Sequence, residues 1–127
     1  MRKFRFRAWD TEKNKMVKVD TIDFNNGNVN DVDFYNQEIH FGFSTILLQY
    51  TGLKDKNGTE IYEGDILTDH GDEGPLYVEY SNERAMFVFV DKFDPFGVTS
   101  YSTLQISYEQ FEVIGNIYEN PELLEVD

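Results

Sequence analysis

The chain has 127 residues, with 11 Lys and Arg against 24 Asp and Glu, a net charge of -13, and 40% apolar residues. This length suits one domain with a real core, since a domain of this size buries roughly two-thirds of its unfolded surface. The absence of cysteine excludes structural disulfides, thiolate metal sites and a cysteine nucleophile, and it fits a reducing cytoplasm.

Phe and Tyr, 11 and 8 residues against one Trp, favour strands over a helical bundle. The opening segment MRKFRFRAWDTEK is basic but lacks the apolar run of a signal peptide, and no segment approaches the roughly 18 apolar residues of a membrane span. The expectation is a soluble protein of the cytoplasm without membrane contact, in which Asn57-Gly58-Thr59 is a turn rather than a glycosylation site. Charge divides unevenly. Residues 1–18 carry seven basic groups against Asp10 and Glu12, giving +5, and the rest carries four against 22 acidic groups, giving -18.

Lys3 to Trp9 alternates, with Phe4, Phe6 and Ala8 on one face and Lys3, Arg5 and Arg7 on the other, which predicts a half-buried strand. Met16 to Asp20 pairs back onto it through Thr11 to Lys15, making a hairpin with a basic edge. Arg5, Arg7, Trp9, Lys15 and Lys18 are therefore the candidate contacts for a partner or for nucleic acid, the cations meeting phosphates and Trp9 stacking on a base. Ile22 to Phe24 extends the hairpin, and Asn25-Asn26-Gly27-Asn28 is a turn cluster. Val29 to Phe43 fits two patterns, a helix face at Val32, Tyr35, Ile39 and Phe43 or a strand alternating with Asp31 and Asp33. Thr45 to Tyr50 reads as a buried strand.

Beyond it, Asn57-Gly58 supplies a tight turn, and Gly52 and Gly64 mark two further bends. Strands are predicted at Asp65 to Thr68, Leu76 to Tyr80, Met86 to Val90, Thr103 to Tyr108 and Glu112 to Ile117, enough for a small antiparallel barrel. Met86 to Val90, apolar throughout, should be central or covered on both sides. Asn120 followed by Pro121 predicts an N-cap and first helical position, with Glu122 to Leu124 a short helical turn.

Three blocks, KFRFRAWD (Lys3 to Asp10), QYTGLKDKNGTEIYEGDI (Gln49 to Ile66) and FEVIGNIYENPELL (Phe111 to Leu124), closely resemble the YopX protein family of bacterial phages and prophages. The resemblance implies a phage-type accessory protein in the cytoplasm of a bacterial host, and it brings no established activity. It is consistent with an SH3-like barrel, to whose first strand Tyr62-Glu63-Gly64-Asp65-Ile66 looks like the entry. The expected fold is mainly β: an N-terminal β-rich subdomain, residues 1–60, packed on a small SH3-like antiparallel barrel, residues 61–127.

Chemistry is thinly represented. His40 and His70 share no motif; His40 sits between Ile39 and Phe41 as a structural residue beside aromatics would, and Asp69-His70-Gly71-Asp72-Glu73 reads as a solvated loop. Glu60, Glu63 and Asp65 could divide acid and base roles, but no nucleophile, arginine clamp or phosphate loop accompanies them. The leading reading is a non-enzymatic accessory or regulatory protein, without cofactor or metal, that works through contacts with host or phage proteins. The opposed charges point to a homo-oligomer. Two alternatives are a nucleic-acid-associated protein using the basic hairpin and an acidic mimic of DNA.

Overall fold

The computed structural model describes residues 2–35 and 38–125. Its elements are strands with short 3-10 turns, and the chain clusters into two units, Met1–Tyr50 and Thr51–Asp127. The division falls at Tyr50, ten residues before the boundary expected at residue 60, because the chain after Tyr50 pairs forward.

The first unit is an antiparallel sheet. Strands β1 (Phe6–Asp10), β2 (Lys15–Asn25), β3 (Asn28–Phe34), β4 (Ile39–Phe41) and β5 (Thr45–Lys54, which runs on into the second unit) lie in the order β4-β3-β2-β1-β5. The β2-β3 hairpin closes as the turn cluster predicts: Asn26 and Gly27 take φ of 52° and 83° between the paired Asn25 and Asn28, the positive angles that a two-residue hairpin turn requires. Val29 to Phe43 resolves as strand, with β3 and β4 followed by a 3-10 turn at Gly42–Ser44; residues 36 and 37 lie outside the described residues. Ala8, Val32 and Phe34 form the core of this unit, with Val17, Val19 and Val29 against them.

Two expectations for the basic hairpin fail. β1 and β2 are interior strands, β1 flanked by β2 and β5, so the hairpin offers no edge. The strand also starts at Phe6, leaving Phe4 outside the ladder and 65% exposed instead of buried, with the Arg2 guanidinium 5.0 Å from its ring centre.

In the second unit β5 pairs with β6 (Glu60–Tyr62), and Thr51 Oγ1 donates to the Ile61 carbonyl at 2.7 Å. Between these strands lies the Asn57-Gly58 turn. Only Gly58 needs a positive φ, 81°, and the turn is organised by Asp55, whose Oδ1 accepts the N–H groups of Asn57 and Thr59. Strands β7 (Asp65–Thr68), β8 (Leu76–Ser81), β9 (Met86–Asp91), β10 (Thr99–Tyr101) and β11 (Glu112–Asn116) form an antiparallel sheet in the order β10-β9-β8-β7-β11. Among the described residues β10 and β11 stand at opposite ends of that order, so the sheet is open where an SH3-like barrel was expected.

The expected strand at Thr103 to Tyr108 accounts for part of this difference. Ser102 captures the backbone instead: its carbonyl accepts Gln105 N–H, its Oγ accepts Leu104 N–H, and Gln105 Oε1 accepts Ser102 N–H. Ser side chains divert the chain into turns in this way. Leu104 is left 96% exposed, while Ile106 and Tyr108 pack on the core of Ile61, Leu67, Leu76, Val78 and Phe89, with the Tyr108 and Phe89 rings parallel at 6.4 Å. As expected, β9 lies inside the sheet, and Val88, Phe89 and Val90 are all buried although their side chains alternate between faces. Pro121–Leu124 is a 3-10 turn, but Asn120 does not cap it. Its Oδ1 turns back to accept the Asn116 N–H at 3.1 Å.

Candidate interaction surface

The register separates the five candidate contact residues. Arg7 lies opposite Lys18, and Trp9 opposite Met16 and Ile46, all on one face of the sheet; Lys15, opposite Asp10, projects from the other. Arg5 precedes β1, and its carbonyl accepts the Tyr50 N–H at 2.8 Å. Arg5, Arg7 and Trp9 each take part in interactions within the chain, whereas Lys18 is exposed and helps to line a hollow with Val17, Phe34 and Tyr35.

The histidines serve local structure. His40 is buried and stacks on Phe34 at 4.1 Å between ring centres; Nδ1 lies 3.7 Å from Asp10 Oδ2 and Nε2 3.2 Å from Glu38 Oε2. Glu38 also binds Lys13 at 3.0 Å, and the Lys13 hydrogen bond, then that of His40, brings its carboxyl down to about 2. His70 is exposed and pairs with Glu112, whose carboxyl is lowered first by that contact and then by Asn57. Asp65 is 1% exposed and accepts the Tyr62 N–H at 2.8 Å, which makes it a clasp of the bend at Gly64 (φ 85°). Among the described residues no group of three or more His, Asp or Glu is placed to hold a metal ion.

The second unit carries what the first lacks. It holds 17 acidic groups against four basic ones, -13, while the first holds seven of each and is neutral. Part of this charge rims a cleft of about 570 Å³ lined by Asp72, Glu73, Asp91 and Asp94 together with Phe93, Phe96 and Tyr101. Its form follows from local chemistry. At Gly74 a Cβ would stand 2.3 Å from Phe93 Cδ2, so only glycine lets that ring lie on the backbone. Asp91 Oδ1 accepts Phe93 N–H at 2.8 Å, fixing the exit from β9. Asp94 then closes the next turn: Oδ1 accepts Phe96 N–H at 2.9 Å, Oδ2 accepts the Thr99 hydroxyl at 2.7 Å, and its carbonyl accepts Gly97 N–H. The Phe96 hydrogen bond and then that of Thr99 hold the Asp94 carboxyl below the ordinary range. The turn presents Phe96 98% exposed, beside a cleft with net negative charge.

Asp94-Pro95-Phe96-Gly97 reads from sequence only as a loop, and the signal that it presents a side chain is Asp-Pro-x-Gly chemistry around an aromatic. Gly74 and Phe93, 19 residues apart, give no such signal.

The fold and surface together define a mainly β protein of two sheet-built units, acidic in the second, where acidic and aromatic residues line a cleft together. The chain belongs to the YopX protein family, whose model matches residues 5–125. It is similar over 98% of its length to all of protein EF1440 from Enterococcus faecalis, with 32% identity and a TM-score of 0.73. It is also similar over 100% of its length to 99% of protein yopX from Bacillus subtilis, with 26% identity and a TM-score of 0.57. No curated protein matches it. Among the described residues no helix is long and apolar enough to cross a membrane.

Proposed function

We propose that the chain is a non-enzymatic accessory protein of phages and prophages that works in the bacterial cytoplasm by binding other proteins through the acidic cleft of its second unit. The observation that carries this reading is Phe96: a turn closed by three hydrogen bonds that Asp94 accepts holds a 98% exposed aromatic beside a cleft lined by four acidic residues. Exposing a phenyl ring forgoes roughly 1.5–3 kcal/mol of burial, and aromatics on rigid supports are the anchors of protein interfaces. The surrounding carboxylates select a cationic partner and repel nucleic acid phosphates. The basic hairpin supports nucleic acid binding less well, because its cations are divided between two faces of interior strands.

The test is capture of host and phage proteins by wild type and by Phe96→Ser. A partner retained by the first and lost by the second, with weaker retention as salt rises, supports the reading. Equal retention by both would sink it.

A further inference from the structure

The cleft calls for an occupant with positive charge and an apolar anchor, and the chain itself contains such a segment. Arg2, Lys3 and Phe4 precede β1, are exposed, and stand outside the ladder. Phe4 is 65% exposed, and Arg2 lies over its ring as a cation on an aromatic face, so charge and apolar group are presented together. No acidic residue occurs before Asp10. The cleft has the reverse character: Asp72, Glu73, Asp91 and Asp94 line it together with the rings of Phe93, Phe96 and Tyr101, and no basic residue is among the lining. Its volume, about 570 Å³, is well within the range that accepts a ring with flanking side chains.

Resting on the reading of the cleft as a protein-binding site, we infer that its occupant is the Arg2 to Phe4 segment of a second copy of this chain. Phe4 enters against Phe93 and Phe96, and Arg2 and Lys3 meet the rim carboxylates. Such a contact joins two different surfaces, so it builds a dimer where two copies exchange segments reciprocally, and a closed ring or a growing chain where they do not. Charge supplies the choice of partner, and the aromatic contact supplies most of the adhesion.

Charge reversal tests this in a form that separates it from the broader reading. Arg2→Glu/Lys3→Glu makes the segment acidic, and Asp72→Lys/Glu73→Lys makes the cleft rim basic; all four residues are exposed. By sedimentation velocity in low salt, wild type should self-associate, and each variant alone should associate at least about tenfold more weakly. An equimolar mixture of the two should recover association, since the acidic segment of one then faces the basic rim of the other. Wild type with the monomer mass at every concentration, variants that associate like wild type, or a mixture that stays monomeric would each overturn the inference. A monomeric wild type that still captures a different partner through Phe96 would overturn only the second-copy occupant and leave the binding role of the cleft standing.

Discussion

Gly74 and Phe93 are joined by contact so close that glycine is required: a Cβ on residue 74 would stand 2.3 Å from the ring. Gly74→Ala should therefore push Phe93 off the backbone and cost about 1–3 kcal/mol, the usual range for overpacking. In a Phe93→Ala background the same substitution should cost much less. A double-mutant cycle by urea denaturation checks this, and additive effects would show that the ring moves aside freely.

Asp55 is a buried polar clasp of the second unit. Its Oδ1 takes two N–H groups of its own turn, and Oδ2 takes the N–H of Val113, 58 residues away, at 2.9 Å. Burial alone would raise its carboxyl, but the hydrogen bonds from Val113, Thr59 and Asn57 together bring it below the ordinary value. Asp55→Ala should destabilise by about 2–4 kcal/mol, since hydrogen bonds to a charged group contribute about 1.5–3 kcal/mol each and are not additive. Thermal or denaturant unfolding measures it. A loss under about 1 kcal/mol would show that water replaces the carboxylate at little cost.

Acid should loosen the protein. Glu38, Asp55, Asp94 and Glu112 all have carboxyls held below their ordinary values in the folded state. A group with a depressed folded pKa binds fewer protons folded than unfolded, so its contribution is complete above the unfolded value and lost as pH falls through the folded one. For Glu38 that window runs from 4.5 down to about 2. Stability should thus fall between these pH values, and Lys13→Ala should flatten the part due to Glu38. A Lys13→Ala profile parallel to wild type throughout would contradict the assignment.

Asp10 is fully buried, with Oδ1 accepting Glu12 and Lys13 N–H and Oδ2 facing His40 Nδ1 at 3.7 Å. Asp10→Ala should cost about 1–3 kcal/mol by leaving the turn donors unpaired. Asp10→Asn keeps an acceptor for the turn and should cost less. If the two variants are equally unstable in denaturant, the carboxylate charge beside His40 matters more than the turn.

Sequence pattern revealed β1, β2, β7, β8, β9 and β11, by alternation at β1 and by short strand-forming runs between turn residues elsewhere, as at the wholly apolar Met86 to Val90 of β9. It misled where side chains compete for the backbone. Thr103 to Tyr108 alternates like a strand, yet Ser102 accepts the Leu104 and Gln105 N–H groups, Gln105 Oε1 accepts the Ser102 N–H, and the segment folds as turns. The short strands β6 and β10, three residues each, are too brief to show a period. The basic hairpin was legible as a hairpin, but its interior place depends on β5 pairing with β1 across more than 30 residues. The cleft was invisible for the same reason: Gly74, Phe93 and Tyr101 meet only through the register of β8, β9 and β10.

Binding of a cationic, apolar segment in the acidic cleft can be read residue by residue by titrating a peptide of residues 2–7 into the 15N-labelled protein. Amide shifts should be largest at Gly74, Phe93, Phe96 and Gly97, saturate, shrink as salt rises, and be absent in Phe96→Ser. Shifts that avoid these residues, or that persist unchanged in Phe96→Ser, would contradict it.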